Sequence, residues 1–268
     1  MIVFADSSAG THTATNQDSV LAELLHGPEL GRLVFAVVAD GMGGMDHGEL
    51  ASATVVEQFA NWLRRTDLRA ALAGGEPSQL WREWAAVVDQ THRALLDYSN
   101  ERRLRLGSTV TALLLTTGRY HVMNVGDTRC YEVTDDIRLL TEDHSLVAQE
   151  VRRGLLNEAV ARTDSRQHVL LQCLGAGSSV KPDFYAGPAP PGAKYLVCTD
   201  GMRHFVSDRE IWQVLAQGCA SANQIGQLIE MNRLRGETDD ISAVLVENSP
   251  QGGTNPLEPA APWKGAMT

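Results

Sequence analysis

Six short apolar runs, at 33–39, 110–116, 120–125, 130–133, 194–199 and 242–247, constrain the fold of this chain most. They are rich in Val, Leu and Tyr and bounded by Gly, Asp or Thr, which marks strands rather than helices. Thr-Thr-Gly-Arg-Tyr at 116–120 reads as a hairpin turn between two of them. Helical periodicity lies elsewhere. Segment 47–65 places Leu50, Val55, Phe59 and Trp62 near one face. Segment 78–103 does the same through Leu80, Trp84, Val87, Val88, Thr91, Leu95 and Tyr98. Shorter helices are expected at 145–153, 207–217 and 221–234. Strands and helices do not alternate strictly, so an α+β fold with segregated layers is expected, not a doubly wound parallel sheet.

The 268 residues suffice for one large core. From Ser249 the chain reads Ser-Pro-Gln-Gly-Gly-Thr-Asn-Pro and then Pro-Ala-Ala-Pro, a composition that predicts a flexible tail over 249–268 behind one domain at 1–248. A formal net charge of −10 repels phosphate backbones and argues against a nucleic-acid partner. Cys130, Cys173, Cys198 and Cys219 form no Cys-x-x-Cys pair and read as buried free thiols of a reducing compartment. The N-terminus lacks a basic region, and its apolar stretch stops too early for a signal peptide. No apolar run approaches the roughly 18 residues of a membrane span. A soluble cytoplasmic protein is expected.

The chemistry is carried by aspartates at the ends of apolar runs. They stand in Val-Val-Ala-Asp40-Gly41-Met-Gly-Gly, Asn-Val-Gly-Asp127-Thr-Arg, Val-Cys-Thr-Asp200-Gly-Met and Thr-Asp239-Asp240-Ile-Ser. One Asp-Gly after a strand is ordinarily a turn. Four such acids brought together repel one another unless a cation neutralises them, and an all-oxygen set suits a hard divalent ion such as Mg²⁺ or Mn²⁺. Spacing alone leaves four unrelated turns as the other reading.

These residues also carry a family resemblance. Asp40-Gly41-Met42-Gly43-Gly44 with Gly48-Glu49 and Ala51-Ser52, Gly107-Ser108-Thr109, Gly126-Asp127-Thr128-Arg129, Leu140-Thr141-x-Asp143-His144-Ser145, Leu174-Gly175, Thr199-Asp200-Gly201-Met202 and Thr238-Asp239-Asp240-Ile241 follow in order. Together they resemble the motif series of bacterial metal-dependent type 2C serine/threonine protein phosphatases. The resemblance implies a four-layer α/β/β/α sandwich of two antiparallel sheets flanked by helix pairs. It implies hydrolysis of phosphoserine and phosphothreonine on proteins, opposing a serine/threonine kinase, with two to three Mn²⁺ or Mg²⁺ ions. Asp40, Asp200 and Asp239 would act through metal-held water, Gly41 would offer its carbonyl, and Asp127 with Asp200 would hold a third ion. Asp18 would support the second ion's water shell, and 147–172 would be a flap beside the cleft.

Two positions depart from the family pattern. Thr13 stands where relatives carry a phosphate-gripping arginine, and Gln17 where they carry glutamate. A hydroxyl does not replace a guanidinium fork, so Arg162, Arg166 and Arg203 become candidates for the phosphate. The departures also keep open a weakened module that only binds a phosphorylated partner, and a hydrolase of small phosphate esters remains a third reading. His47 and His144 could act as acids near the metals, although a cap or packing role is the plainer reading for His144. Trp62, Trp81 and Trp84 read as packing residues.

Overall fold

The computed structural model describes residues 1–11, 15–27, 30–42, 47–73, 78–161 and 164–249. The expected tail therefore lies outside the described residues, apart from Ser249. Two antiparallel sheets form the centre. One runs in the order β1 (Ile2–Ser8), β11 (Ile241–Glu247), β10 (Lys194–Cys198), β7 (Arg129–Val133) and β8 (Ile137–Leu139). The other runs β2 (Asp18–Gly27), β3 (Gly31–Met42), β5 (Val110–Leu115), β6 (Arg119–Val125) and β9 (Asp183–Pro188), with β4 (Gly107–Ser108) paired to the end of β3. The hairpin expected after 116 joins β5 to β6, closed by Thr116 N–H donating to the Arg119 carbonyl at 2.9 Å.

Side chains alternate across each central strand, so each strand feeds two cores. In β3, Val34, Ala36 and Val38 face the other sheet and meet Val122, Tyr195, Val197, Val244 and Val246. Phe35, Val37 and Ala39 face outward, onto Ala51, Val55, Phe59 and Trp62 of α1 (Gly48–Arg65) and Leu80, Trp84 and Val88 of α3 (Ser78–Arg102). Leu196, Cys198, Ala243 and Leu245 cover the opposite outer face. They pack under Ile211, Val214 and Leu215 of α6 (Asp208–Leu215) and Ile225, Leu228 and Ile229 of α7 (Ala222–Leu234). Three apolar cores thus separate four layers, and the α/β/β/α order stands. Trp62 meets Trp84 edge-on at 5.8 Å and Trp81 stacks on Phe184 at 5.2 Å, so the tryptophans are packing residues.

Three α-helices are short. Asp67 caps α2 (Leu68–Leu72), its carboxylate accepting from the N–H groups of Arg69 and Ala70. Ser145 caps α4 (Leu146–Arg152), and α5 (Glu158–Ala161) follows it. Cys130 and Cys198 are buried free thiols as expected, but Cys219 is exposed between α6 and α7. No helix among the described residues is long and apolar enough to cross a membrane.

Candidate metal centre

The acids come together because β3, β6, β10 and β11 place their carboxylate-bearing ends at one end of the sandwich. Asp18 and Asp40 are direct partners in the β2–β3 register. The Asp40 backbone is held on both sides: its N–H donates to Thr109 Oγ1 at 3.0 Å, and its carbonyl accepts from Thr109 N–H at 2.9 Å. Gly41 N–H donates to the Gln17 carbonyl at 3.1 Å. Asp127 follows β6 through Gly126, whose φ of 107° suits glycine. Asp200 opens a single 3₁₀ turn, Asp200–Met202, after β10. Thr199 Oγ1 bridges the sheets by donating to Asp18 Oδ2 at 2.9 Å.

The cluster is electrostatically unbalanced. Burial, and then the charges of Asp18, Asp200, Asp127 and Asp239, push the Asp40 carboxyl well above its ordinary range. Burial raises Asp18 likewise, against the relief of hydrogen bonds from Ser242 and Thr199. Burial and then Asp200 raise Asp127 to about 7, with Arg203 and Arg129 opposing. Asp239 is raised by burial and by Asp200. In addition, Asp200 Oδ1 is buried with no hydrogen-bond partner among the described residues. Carboxylates that lift one another, and an oxygen with an unused lone pair, fit a divalent cation bound by oxygen ligands.

Around this set lies a frame of ion pairs. Asp240 accepts from the N–H groups of Gly10 and Gln17, both at 2.7 Å, and so fixes the segment leading to Asp18. Arg129 forks onto Asp143 at 2.9 and 2.8 Å. Arg203 places Nη2 at 3.4 Å from Asp127 Oδ2 and 3.5 Å from Asp143 Oδ2. These arginines, with Arg152, His204, Phe205 and Glu210, line a cleft of about 500 Å³ beside segment 147–172. Its described residues form α4, α5 and turns, and are tied down by Leu146 N–H to the Val169 carbonyl and Leu171 N–H to that of His144.

Of the residues expected from sequence, Asp18, Asp40, Gly41, Asp127, Asp200 and Asp239 are brought to this centre. Arg203 lies among the acids, and Arg166 is tied to Asp164 and Glu150, both at 2.8 Å. Thr13 and Arg162 lie outside the described residues. His144 is buried between Gly126 N–H and Asp183, a packing and hydrogen-bonding role, while His47 opens α1 with a left-handed φ of 86°. Sequence reasoning passed over His204 and Glu237. His204 sits between two carboxylates, with Nδ1 2.7 Å from Glu237 Oε2 and Nε2 3.1 Å from Asp200 Oδ2. Burial lowers the His204 pKa, but these hydrogen bonds outweigh it and raise the pKa to about 10. For Asp200, burial is outweighed by His204 and Arg203, and the carboxyl is held below its usual range.

Comparison with known proteins bears on the fold and the family. The profile of the family described as protein phosphatase 2C matches residues 8–235. A serine/threonine phosphatase stp of Listeria innocua is 29% identical over 216 residues, 80% of this chain and 84% of that one. The solved Mycobacterium tuberculosis serine/threonine phosphatase PstP/Ppp superposes with a TM-score of 0.78 at 28% identity, covering 93% of this chain and 99% of that one. A catalytic domain of PstP in complex with two manganese ions gives a TM-score of 0.75 at 28% identity, covering 91% and 96%.

Proposed function

Since the chain belongs to the protein phosphatase 2C family, we propose that it removes phosphate from phosphoserine and phosphothreonine of cytoplasmic proteins, opposing a serine/threonine kinase. The observation that carries the reading is the mutual repulsion of Asp40 and the four buried or half-buried aspartates around it. Asp40, the Gly41 carbonyl, Asp200 and Asp239 would hold two Mn²⁺ or Mg²⁺ ions, with Asp18 supporting one through water. Asp127 with Asp200 would hold a third, in competition with Arg203 for Asp127 Oδ2. When bound, such ions lower the pKa of a water and neutralise charge on the phosphoryl oxygens. The chain's own part is positioning. Thr109 fixes the Asp40 backbone, Thr199 orients Asp18, and Asp240 holds the chain at Gln17. Segment 147–172 would act as the flap over the cleft. The test is turnover of a phosphothreonine peptide with Mn²⁺, compared with binding alone. Binding without turnover would favour the module reading, against which Asp40, Asp127, Asp200 and Asp239 all stand intact.

Phosphate capture supplies a further prediction. Thr13 offers one neutral donor where relatives offer a charged fork. An arginine–phosphate bond contributes roughly 1.5–3 kcal/mol. Thr13→Arg is therefore expected to lower KM for a phosphopeptide about tenfold or more with kcat little changed. An unchanged KM would hand the role to Arg162, Arg166 or Arg203. Alanine substitution of each would then sort them; Arg166 is the more exchangeable of the described pair, because its own side chain is exposed.

A further inference from the structure

Asp200 has a second set of neighbours that the phosphatase reading does not use. The 3₁₀ turn at Asp200–Met202 folds the chain back so that His204 Nε2 stands 3.1 Å from Asp200 Oδ2. The other ring nitrogen of His204 lies 2.7 Å from Glu237 Oε2. Glu237 is itself fixed, its Oε1 accepting from the N–H groups of Thr238 and Asp239 at 2.8 and 2.9 Å. A carboxylate behind one nitrogen of a histidine is the arrangement that orients an imidazole and raises its basicity toward a metal at the other nitrogen. From the segment between α5 and β9, exposed His168 brings its ring edge-on to His204, centroids 5.4 Å apart at 82°. One ligand atom from each of His168, Asp200 and His204 falls within 4.8 Å of the others.

We propose that His168, Asp200 and His204 form a site for Zn²⁺ or a similar divalent transition ion, which pins segment 164–171 to the floor of the cleft. Two imidazoles and one carboxylate are a donor set that Zn²⁺ accepts readily and Mg²⁺ does not. Ligand atoms of one tetrahedral Zn²⁺, with bonds of about 2.0–2.1 Å, stand roughly 3.3 Å apart. The remaining contraction of roughly 1–1.5 Å falls to His168, the exposed member of the three. The ion takes the place of the proton on His204 Nε2, and Glu237 keeps the other nitrogen. Asp200 is shared with the proposed hydrolysis, so occupancy here withdraws it from that role. This last consequence rests on the phosphatase reading; the site itself does not.

The experiment titrates Zn²⁺ into the metal-stripped full chain by calorimetry with excess Mg²⁺ present, and follows Co²⁺ by its visible absorption. Wild type is expected to bind Zn²⁺ and to show four-coordinate Co²⁺ bands. His168→Ala is expected to weaken Zn²⁺ binding at least tenfold, and Glu237→Gln by about 10–100-fold. Asp40→Asn is expected to leave Zn²⁺ affinity within about threefold, since Asp40 is not a ligand of this site. Hydrogen exchange in 164–171 should slow with Zn²⁺ in wild type and not in His168→Ala. Equal Zn²⁺ affinity in wild type and His168→Ala, or affinity that falls with Asp40→Asn and not with His168→Ala, overturns the proposal. In that case His204 is an ion-pair partner of Asp200 and Glu237 only. Mn²⁺-dependent turnover of a phosphopeptide is scored separately, so failure of the Zn²⁺ site and failure of the phosphatase reading give different results.

Discussion

Asp40→Asn and Asp239→Asn are each expected to lose roughly a thousandfold or more in Mn²⁺-dependent turnover of a phosphopeptide while remaining folded. Metal charge stabilises the transition state by several kcal/mol, and each 1.36 kcal/mol is about tenfold in rate. Stability should move the other way in the metal-free protein. Burial and four neighbouring carboxylates raise the Asp40 pKa, so its ionised form opposes folding. Replacing it with neutral Asn removes that opposition and is expected to stabilise the metal-free protein. The same sign governs pH. Asp127 titrates at about 7 when folded against an ordinary 3.8, so the native state holds the extra proton between those values and metal-free stability falls as pH rises through that window. His204, raised to about 10 from 6.5, stabilises the fold fully below 6.5 and loses that contribution as pH climbs to 10. Thermal melts of stripped protein from pH 4 to 10 check both. Activity within threefold of wild type in either variant at saturating Mn²⁺ would falsify the assignment of Asp40 or Asp239.

The strands that could be read from sequence are those with neighbours on both sides. β3, β5, β6, β7, β10 and β11 are all internal to their sheets, mostly buried, and so appear as continuous apolar runs. The four edge strands, β1, β2, β8 and β9, were missed. They carry exposed residues such as Asp6, Glu23 and Arg138 and the half-exposed Asp183, and their apolar pattern is broken at those positions. The aspartates were legible for a related reason. Asp40, Asp127 and Asp200 stand at the C-terminal ends of internal strands and Asp239 just before β11, so their place at the sheet end could be inferred from the adjoining apolar run. His204 and Glu237 had no such marker. Their pairing needs the 3₁₀ turn after Asp200 to meet a segment more than thirty residues away, and nothing in local spacing announces that closure. Arg203 shows a similar limit. Its position beside Asp200 was visible, but that its guanidinium faces Asp127 and Asp143 depends on how those acids fold around it.

Gly41 carries the second large effect, through sterics rather than charge. A Cβ there would lie 2.1 Å from the carbonyl oxygen of Gly48 and 2.5 Å from that of Gln17. Both atoms are backbone, and neither can swing aside as a side chain would. Gln17 leads into β2 and already accepts from Gly41 N–H, while Gly48 opens α1. In Gly41→Ala something must move by about an ångström: the start of α1, the strand bearing Asp18, or the Asp40–Gly41 peptide. Each of these carries part of the centre, and a displacement on that scale can cost about a hundredfold in rate. Turnover is expected to fall at least that far. Stability is expected to fall by about 2–4 kcal/mol, the range of severe single substitutions, or roughly 5–10 °C in Tm for a chain of this size. Gly226 gives the contrast. It lies within α7 with nothing within 4 Å of its added Cβ, so Gly226→Ala should raise stability by up to about 1 kcal/mol. Melts and steady-state kinetics of the two variants decide the matter. If Gly41→Ala keeps wild-type turnover and Tm, the close packing of Asp40–Gly41 on the start of α1 does not hold the acids in place.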